Sequence, residues 1–391
     1  MKLGKRSNKS TARRQVDVLV VGGGVTGAGV GYGLARKGVK VCVIDDTPSV
    51  DRASRSNMGL IWVQSKALGV PEYMRWGFNS SRLFPELVRE LEDASGIHIP
   101  YNPTGGLIPT VGEAEYASRS NYIEGLKKEA GSFGYNGSMI SRSELEKLLP
   151  KIRFGEEVCG AAWCEEDGFL EPLKMMFAMR KGMVNHGGQF IPECRALSVA
   201  REGAGYVVKT SAGEIACEKL VLAGGLSNRQ LGSWFDVRVP VTPDRAQDLL
   251  TERVNEKVLP IPVLGLCQTP GGTIMVGYKH EYVGTDTGFT PEAVASEGRW
   301  ATSVWPDLAK LRVIRCWSCL RVMPKDGLPI YDTVPGHKNV FVFNCHSAVT
   351  LAGIHSATLP DYVLTGALPE DGRIFKLSRF DKTEGHEEED E

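Results

Sequence analysis

Apolar and polar positions alternate along this chain in two rhythms, one of strands and one of helices. Val16 to Val21 is a nearly unbroken β-branched run, the form of a parallel strand covered on both faces. A glycine-rich turn follows. Residues Thr26 to Lys37 then predict a helix that Gly38 stops, and "KVCVI" returns as a second buried strand. Pro71 to Ala94 places Met74, Phe78, Leu83, Leu87 and Leu91 on one stripe and predicts a long amphipathic helix. "PTGGLIPT" predicts a turn and a strand, and Glu113 to Ala130 a helix. Ser141 and Glu144 form a capping box ahead of "LEKLLP". "EEDGFLEP" predicts a loop, Pro172 to His186 a helix, and the stretch from Gly187 to Gly225 strands and hairpins ending on a buried strand. From Val237 to Arg321 the pattern is mainly β, broken by a helix with Thr290 as N-cap and Pro291 as first residue. "NVFVFNCHSAVTLAGIHSATLPDYVLTG" predicts a last buried strand, a polar turn and a helix.

With 391 residues the chain exceeds one ordinary core, so two domains are expected. A composition 42% hydrophobic and 24% charged, with net charge -1, is that of a globular protein and points to neither a nucleic-acid nor a membrane partner. No apolar run approaches the length of a membrane span. Nine cysteines, an odd number without a repeating spacing, read as reduced thiols in a cytoplasmic setting. Residues 1–14 carry six basic side chains and no acid, and are expected to be a disordered arm; 371–391, ending "EGHEEEDE", are expected to be a solvated acidic tail.

The strongest chemical signal lies in "VDVLVVGGGVTGAGVGYGLARKGVKVCVIDD". Strand, turn, helix and strand come in order, and Gly22, Gly24 and Gly27 supply G-x-G-x-x-G. The first glycine permits the turn, the second lets backbone approach a pyrophosphate, and the third lets helix and strand pack closely. The helix start, with Val25 and Thr26, offers a positive end to phosphates. Asp45 is placed to bind a ribose hydroxyl, with Asp46 beside it as the alternative. Both NAD and FAD use such a unit. Gly224 and Gly225 mark a second place where backbone could approach the same cofactor.

Several further segments, "KLVLAGGLSN", "PVTPDRAQDLLTER", "WSCLRVMPKDGLPI" and "CHSAVTLAG", give the chain from about residue 16 to 366 a resemblance to the D-amino-acid oxidase, glycine oxidase and sarcosine oxidase superfamily. Within it, "ASRSNMGLIWVQSKALGVPEY" looks most like β subunits of dye-linked proline, hydroxyproline and opine dehydrogenases, and is similar to the flavoprotein subunit of hydrogen-cyanide synthase. The resemblance implies FAD and an α/β fold with an α+β second domain: a Rossmann-like FAD-binding domain (15–83, 156–226 and 324–370) and a discontinuous, mainly antiparallel-sheet substrate domain (84–155 and 227–323). It also implies that Ser54, Arg55, Ser56, Asn57, Gly59 and Leu60 line the cofactor and that Ala196 lies by the adenine. The amides of Ser347, Ala348, Val349, Thr350 and Leu351, opening the last helix, would face the pyrimidine edge of the flavin. Ala246, Ala348 and Gly353 depart from the pattern, since glycine is usual at the first two positions and proline at the third.

Arg321 matches the family's arginine for the substrate carboxylate. A guanidinium that grips both carboxylate oxygens fixes the α-carbon against the flavin, and the α-hydrogen can then leave as hydride, driven by the amine lone pair. Nearby Cys316 and Cys319 have the spacing of a redox dithiol, but they sit on a strand-like run that would point them to opposite faces. Tyr278 and His280, in "VGYKHEYVG", are candidates for the substrate pocket; no cysteine or histidine spacing suggests a metal. The expected function is oxidation of a small amino or imino acid, within a hetero-oligomeric dehydrogenase whose partner subunits carry the electrons onward. The alternatives are a stand-alone oxidase producing hydrogen peroxide and a non-catalytic scaffold that keeps the flavin fold.

Overall fold

In a computed structural model, residues 13–46, 52–66 and 68–381 are described. The largest sheet has eight strands. Arg14–Val21 lies at its middle, flanked in parallel by Val41–Ile44 and Gly213–Leu222. Gln189–Ile191 extends one side and His337–Asn344 the other, both also parallel. All four residues of Val41–Ile44 are buried, because layers cover both faces; this is why these runs lack polar alternation. Helix Val25–Arg36 packs against Ala352–Thr365 and Pro172–Asn185 on one of those faces.

A second, antiparallel sheet has the order Leu266–Gln268, Thr273–Val276, Val241–Arg253, Val313–Pro324. The two long strands are in register over their length, with Asp244 opposite Arg321, Ala246 opposite Cys319 and Asp248 opposite Trp317. Paired residues share a face and alternate residues return to it, so Asp244, Ala246, Asp248, Cys319 and Arg321 form one polar and small-residue stripe. A three-stranded sheet of Gly106–Val111, Val158–Cys164 and Ser138–Ser141 joins this one through a bridge between Leu107 and Val263. Val158–Cys164, within the segment 156–226 expected in the dinucleotide domain, pairs with Gly106–Val111 and Ser138–Ser141.

Other expectations change in detail. The single helix expected over 71–94 is two, Pro71–Arg82 and Phe84–Ser95. Pro85 brings no amide and crowds the preceding turn, and the Leu83 amide closes tightly on the Ser80 carbonyl at 3.2 Å. The apolar stripe runs on across the break, which hid it. Inside the expected loop "EEDGFLEP", Gly168–Leu170 is a short strand between Leu60–Ile61 and Tyr101–Asn102. The tail starts later than residue 371: Glu370–Phe375 and Leu377–Phe380 are 3-10 turns. There Phe375 is fully buried against Tyr73, Trp76 and Tyr331, and Asp371 pairs with Arg75 at 2.7 Å. At the other end, Arg14 already belongs to the first strand and Arg13 pairs with Glu202. The rest of the expected arm and tail lies outside the described residues. The capping box of Ser141 and Glu144 is formed, and Thr290 caps the helix Pro291–Val304.

Candidate active site

Two cavities meet where the parallel sheet faces the antiparallel one. The first, about 760 Å³, runs over the glycine turn. Gly22 has a left-handed φ of +106°. At Gly27 a Cβ would stand 1.9 Å from the Gly22 carbonyl oxygen, so only glycine lets the helix begin there. At Gly24 a Cβ would lie 2.7 Å from Ser54 Oγ, and that hydroxyl accepts the Val25 amide at 3.0 Å. The second glycine thus makes room for Ser54 as well as for a ligand. The Gly23 amide donates to Asp45 at 3.1 Å.

Arg180, which sequence reasoning passed over, closes this turn from below. Its guanidinium donates to the Gly23 carbonyl (2.9 Å) and to Asp45 (3.0 Å) and lies over the Phe190 ring. Burial lowers its pKa and Asp45 opposes that; an arginine stays charged regardless. An arginine amid the apolar residues of "PLKMMFAMRKGMVN" was the available signal. Asp46 is held apart by Arg52. Thr26, Arg55, Ala196, Gly224 and Gly225 line the same cavity, while Val25 and Gly27 stand buried behind its wall. Asn228 ties the ends of two parallel strands, donating to the Leu222 carbonyl and to Asn344 and accepting the Gly224 amide.

The second cavity is about 1150 Å³, and Ala53 and Ala348 line both. Ser56, Asn57, Gly59 and Leu60 form one wall, and Ser347, Ala348, Val349 and Thr350 another. These last residues form a turn ahead of the helix, which starts at Ala352. The Leu351 amide is spent on the Ser347 carbonyl at 3.0 Å, and Leu351 is fully buried and lines neither cavity. Lys66 reaches the Ser347 hydroxyl and lies over the Tyr73 ring. The residues present fit a two-headed cofactor: a glycine cradle that side chains would fill, joined past Ala348 to a wider chamber with room for a ring system.

The floor of the wider chamber is the stripe on the antiparallel sheet. Arg321 lines it, as do Tyr278 and His280. Arg321 donates to the Lys279 carbonyl at 3.0 Å, approaches His280 Nδ1 at 2.8 Å, and lies 3.5 Å from Asp244. Asp244, wholly buried, also holds His280 Nδ1 at 2.5 Å. Burial alone would raise the Asp244 pKa; the bond to His280 and the Arg321 charge more than offset it, and the carboxyl sits below its ordinary value. Buried Glu297 accepts the amides of Tyr278 and Lys279, which sets the segment over the sheet. Tyr278 stacks on Trp300. His346 opens to the chamber but is ringed by protein. The surrounding protein, with the Lys66 and Arg321 charges nearby, lowers its pKa, which favours a neutral ring although much of it is exposed.

Arg321, Tyr278 and His280 are therefore brought together, and Cys316 and Cys319 are not a dithiol pair. Cys319 is buried on the chamber face, Cys316 lies on the other face, and neither forms a disulfide among the described residues. The departures also fall here: Ala246 lines the chamber and Ala348 stands at its junction with the groove. Glycine is required at Gly353, where a Cβ would come 2.5 Å from the Ser80 carbonyl oxygen. The acids Asp244 and Asp248 were not singled out: they lie in the mainly β stretch from Val237 to Arg321, and the pairing that puts them on the chamber floor is with a strand distant in sequence.

Comparison with known proteins agrees with this geometry. One subunit of the opine oxidase of Agrobacterium tumefaciens is 31% identical over 367 residues, covering 94% of this chain and 98% of that protein. Glycine oxidase from Geobacillus kaustophilus superposes with a TM-score of 0.83 at 22% identity, covering 94% of this chain and 99% of that one. L-proline dehydrogenase from P. horikoshii gives 0.82 at 19%, covering 95% and 99%. Both show the same fold. The model of the FAD dependent oxidoreductase family, DAO, matches residues 17–359. With that match spanning both sheets and both cavities, this chain belongs to the DAO family of FAD-dependent oxidoreductases, and FAD is its cofactor.

Proposed function

We propose that the chain oxidises the C–N bond of a small amino or imino acid, of opine, proline or hydroxyproline type, as the catalytic subunit of a heteromeric dehydrogenase in the cytoplasm. The observation that carries this reading is Arg321. It is a cation on the floor of the wider chamber, held at one edge by Asp244, His280 and the Lys279 carbonyl. A guanidinium fixed in this way is ready to orient a carboxylate. Bound FAD supplies the two-electron acceptor. The residues that would hold it are the glycine turn with Asp45 and Ser54 at the nucleotide end, and the segments 56–60 and 347–350 around the ring.

In this reading Arg321 binds the substrate carboxylate and sets the distance of the α-carbon from the ring. Asp244 keeps the guanidinium from swinging away. Neutral His346 adds no charge to repel an ammonium group. The reading as one subunit of several is supported by the related opine oxidase protein, which is itself named as a subunit. The two separate sheets support a division into an FAD-binding part and a substrate part, with Val158–Cys164 proposed for the second.

The test is an anaerobic visible spectrum of the purified flavoprotein titrated with D- and L-proline, hydroxyprolines, opines, glycine and sarcosine. Bleaching of the flavin band by an opine or a proline is expected, with slow reoxidation in air. Rapid reoxidation with stoichiometric peroxide would identify a stand-alone oxidase. A flavin that no amino or imino acid bleaches would refute the reading.

A further inference from the structure

One nitrogen of His280 has more neighbours than it can serve. Nδ1 stands 2.5 Å from Asp244 Oδ2 and 2.8 Å from Arg321 Nη1. Arginine only donates and an ionised carboxylate only accepts, so Nδ1 either donates to Asp244 or accepts from Arg321. Asp244 decides between them. Its carboxylate is wholly buried and held below its ordinary pKa, and Oδ1 has no hydrogen-bond partner among the described residues. Two bare acceptors 2.5 Å apart, shut away from water, would repel. The proton therefore sits on Nδ1, and Arg321 has another acceptor in the Lys279 carbonyl at 3.0 Å. The neutral ring then carries its lone pair on Nε2. No described residue hydrogen-bonds Nε2, and the side chain is 48% exposed where it lines the chamber.

The charges around this ring are few. Asp244 and Arg321 touch it with opposite signs, one from each long strand. Lys279, beside it, turns its ammonium to Ser296, and Glu297 of the same helix accepts the Tyr278 and Lys279 amides. Lys66, Asp248 and His346 line the same chamber. The Arg321 cation opposes a second positive charge on the ring, and the Asp244 carboxylate favours one. A carboxylate seated on Arg321 offsets that opposition. In an α-amino acid the amine is one carbon from the carboxylate, so anchoring on Arg321 brings the ammonium beside the ring that Arg321 touches.

We propose that His280 is a catalytic residue that takes the proton of the substrate ammonium on Nε2, with Asp244 as the positioning residue that fixes its tautomer. One N–H bond of the substrate breaks, one N–H bond forms on Nε2, and no electrons are exchanged. The amine is left neutral, with the lone pair that drives loss of the α-hydrogen. The proton passes from the exposed ring to water. Anchoring and deprotonation are thereby coupled, because the carboxylate that binds Arg321 makes His280 the better base. This rests on the reading of Arg321 as the carboxylate anchor.

The test uses ethers in which oxygen replaces the amine: methoxyacetate, tetrahydrofuran-2-carboxylate and oxydiacetate. Ether oxygen only accepts, so it pairs with Nε2 only when the ring is protonated. Perturbation of the oxidised flavin spectrum of the FAD-loaded protein gives Kd. Binding should weaken roughly 10-fold between about pH 6.5 and 8.5 in the native protein, and less than about 2-fold in His280→Gln. Asp248→Asn should keep the native slope, which separates His280 from the chamber's other titrating acid. A flat profile in the native protein overturns the proposal without any variant. So does a slope that survives in His280→Gln, the result expected of a ring that only supports Arg321. If no ether binds, the carboxylate-anchor reading falls and the proposal with it; binding without a slope overturns the proposal alone. The matching amines, sarcosine, L-proline and iminodiacetate, report the step itself. His280→Gln should slow the limiting rate of anaerobic flavin reduction about 100-fold at pH 7, with the gap closing toward pH 10 as the amine loses its own proton. A gap of equal size at both pH values overturns the proposal. Flavin that none of them bleaches overturns the oxidation reading, while the ether profiles still decide the proton acceptor.

Discussion

The two chambers are built on opposite plans. The groove over Gly22 to Gly27 is a backbone site: its shape comes from glycines that neighbouring atoms would exclude if they carried a Cβ, and its main acid, Asp45, is 22 residues from the amide it accepts. The wider chamber is a side-chain site. Its floor joins residues 244–248 to 319–321, its rim is the segment 277–280, and its far wall is 347–350. The first plan binds a group common to many enzymes and tolerates little change. The second sets what is oxidised, and single side chains there can be exchanged with the fold intact.

The sharpest test of this contrast is Gly27→Ala. The added carbon meets a backbone oxygen at 1.9 Å, with no flexible side chain to give way. Overpacking costs about 1–3 kcal/mol in a core that can adjust, and the upper end or beyond is expected here. The flavin-to-protein absorbance ratio should collapse, and the thermal midpoint should fall. A variant that retains full flavin content would show that the groove is more pliable than a backbone site should be.

The same contrast explains what was legible. Strand, glycines, helix and acid lie within the 31 residues of "VDVLVVGGGVTGAGVGYGLARKGVKVCVIDD", so local rules reach them. The helices Glu113–Ala130 and Pro172–Asn185, and the caps at Ser141 and Thr290, were legible for the same reason. The stripe of Asp244, Asp248, Cys319 and Arg321 depends on a pairing between strands about 70 residues apart, which periodicity does not encode. Arg321 was found only through family resemblance. Asp248 matched no motif and was not found. The break at Leu83 escaped because tertiary packing kept the apolar stripe continuous on both sides of it.

Arg321→Ala sharpens the comparison from the other side. It should leave flavin content unchanged and weaken substrate capture roughly 100-fold, in line with the ~2–5 kcal/mol lost when one partner of a buried charge pair is removed. The measurement is the substrate concentration needed for half-maximal anaerobic reduction. Unaltered capture would remove Arg321 from the role of carboxylate anchor and return it to a structural contact with Asp244.

Asp244→Asn should act more gently and with a defined pH sign. Folding holds the Asp244 carboxyl below its ordinary value. Its contribution to stability is therefore complete above the unfolded pKa of about 3.9 and is lost as pH falls through the lower native value. The variant should be less stable at pH 7 by about 1.5–2 kcal/mol, the low end for hydrogen bonds to charged groups, and the gap should narrow below pH 4. A gap that does not change with pH would assign the loss to packing.

Asp248 has the opposite sign. Its native pKa is raised to about 7, so folding favours the neutral form. Without substrate, stability should be lost as pH rises from about 4 to 7, and Asp248→Asn should keep it. Asp167, buried and likewise raised to about 7, contributes the same trend in both proteins, so only the difference between the two curves is diagnostic. Because the chamber is open to water, on the order of 1 kcal/mol is expected rather than the full value of the shift.

The smallest effect is expected at Cys316, and it is the most discriminating for the choice between thiol and flavin chemistry. A reactive dithiol needs a lowered thiol pKa, usually from a helix start or an adjacent cation. Cys316 instead lies within the strand Val313–Pro324, and burial raises its pKa. Cys319 is turned to the opposite face, three positions along a pleated strand, where no bridge can close without displacing the pairing to Leu249 and Ala246. Cys316→Ser should therefore leave both the rate of anaerobic flavin reduction and the rate of reoxidation unchanged. The pairing of Asp244 with Arg321 also survives that substitution, since it depends on backbone register rather than on the thiol. A slowed reoxidation alone would mean that electrons leave through the thiol, and the stripe would then be a path for electrons as well as a floor for substrate.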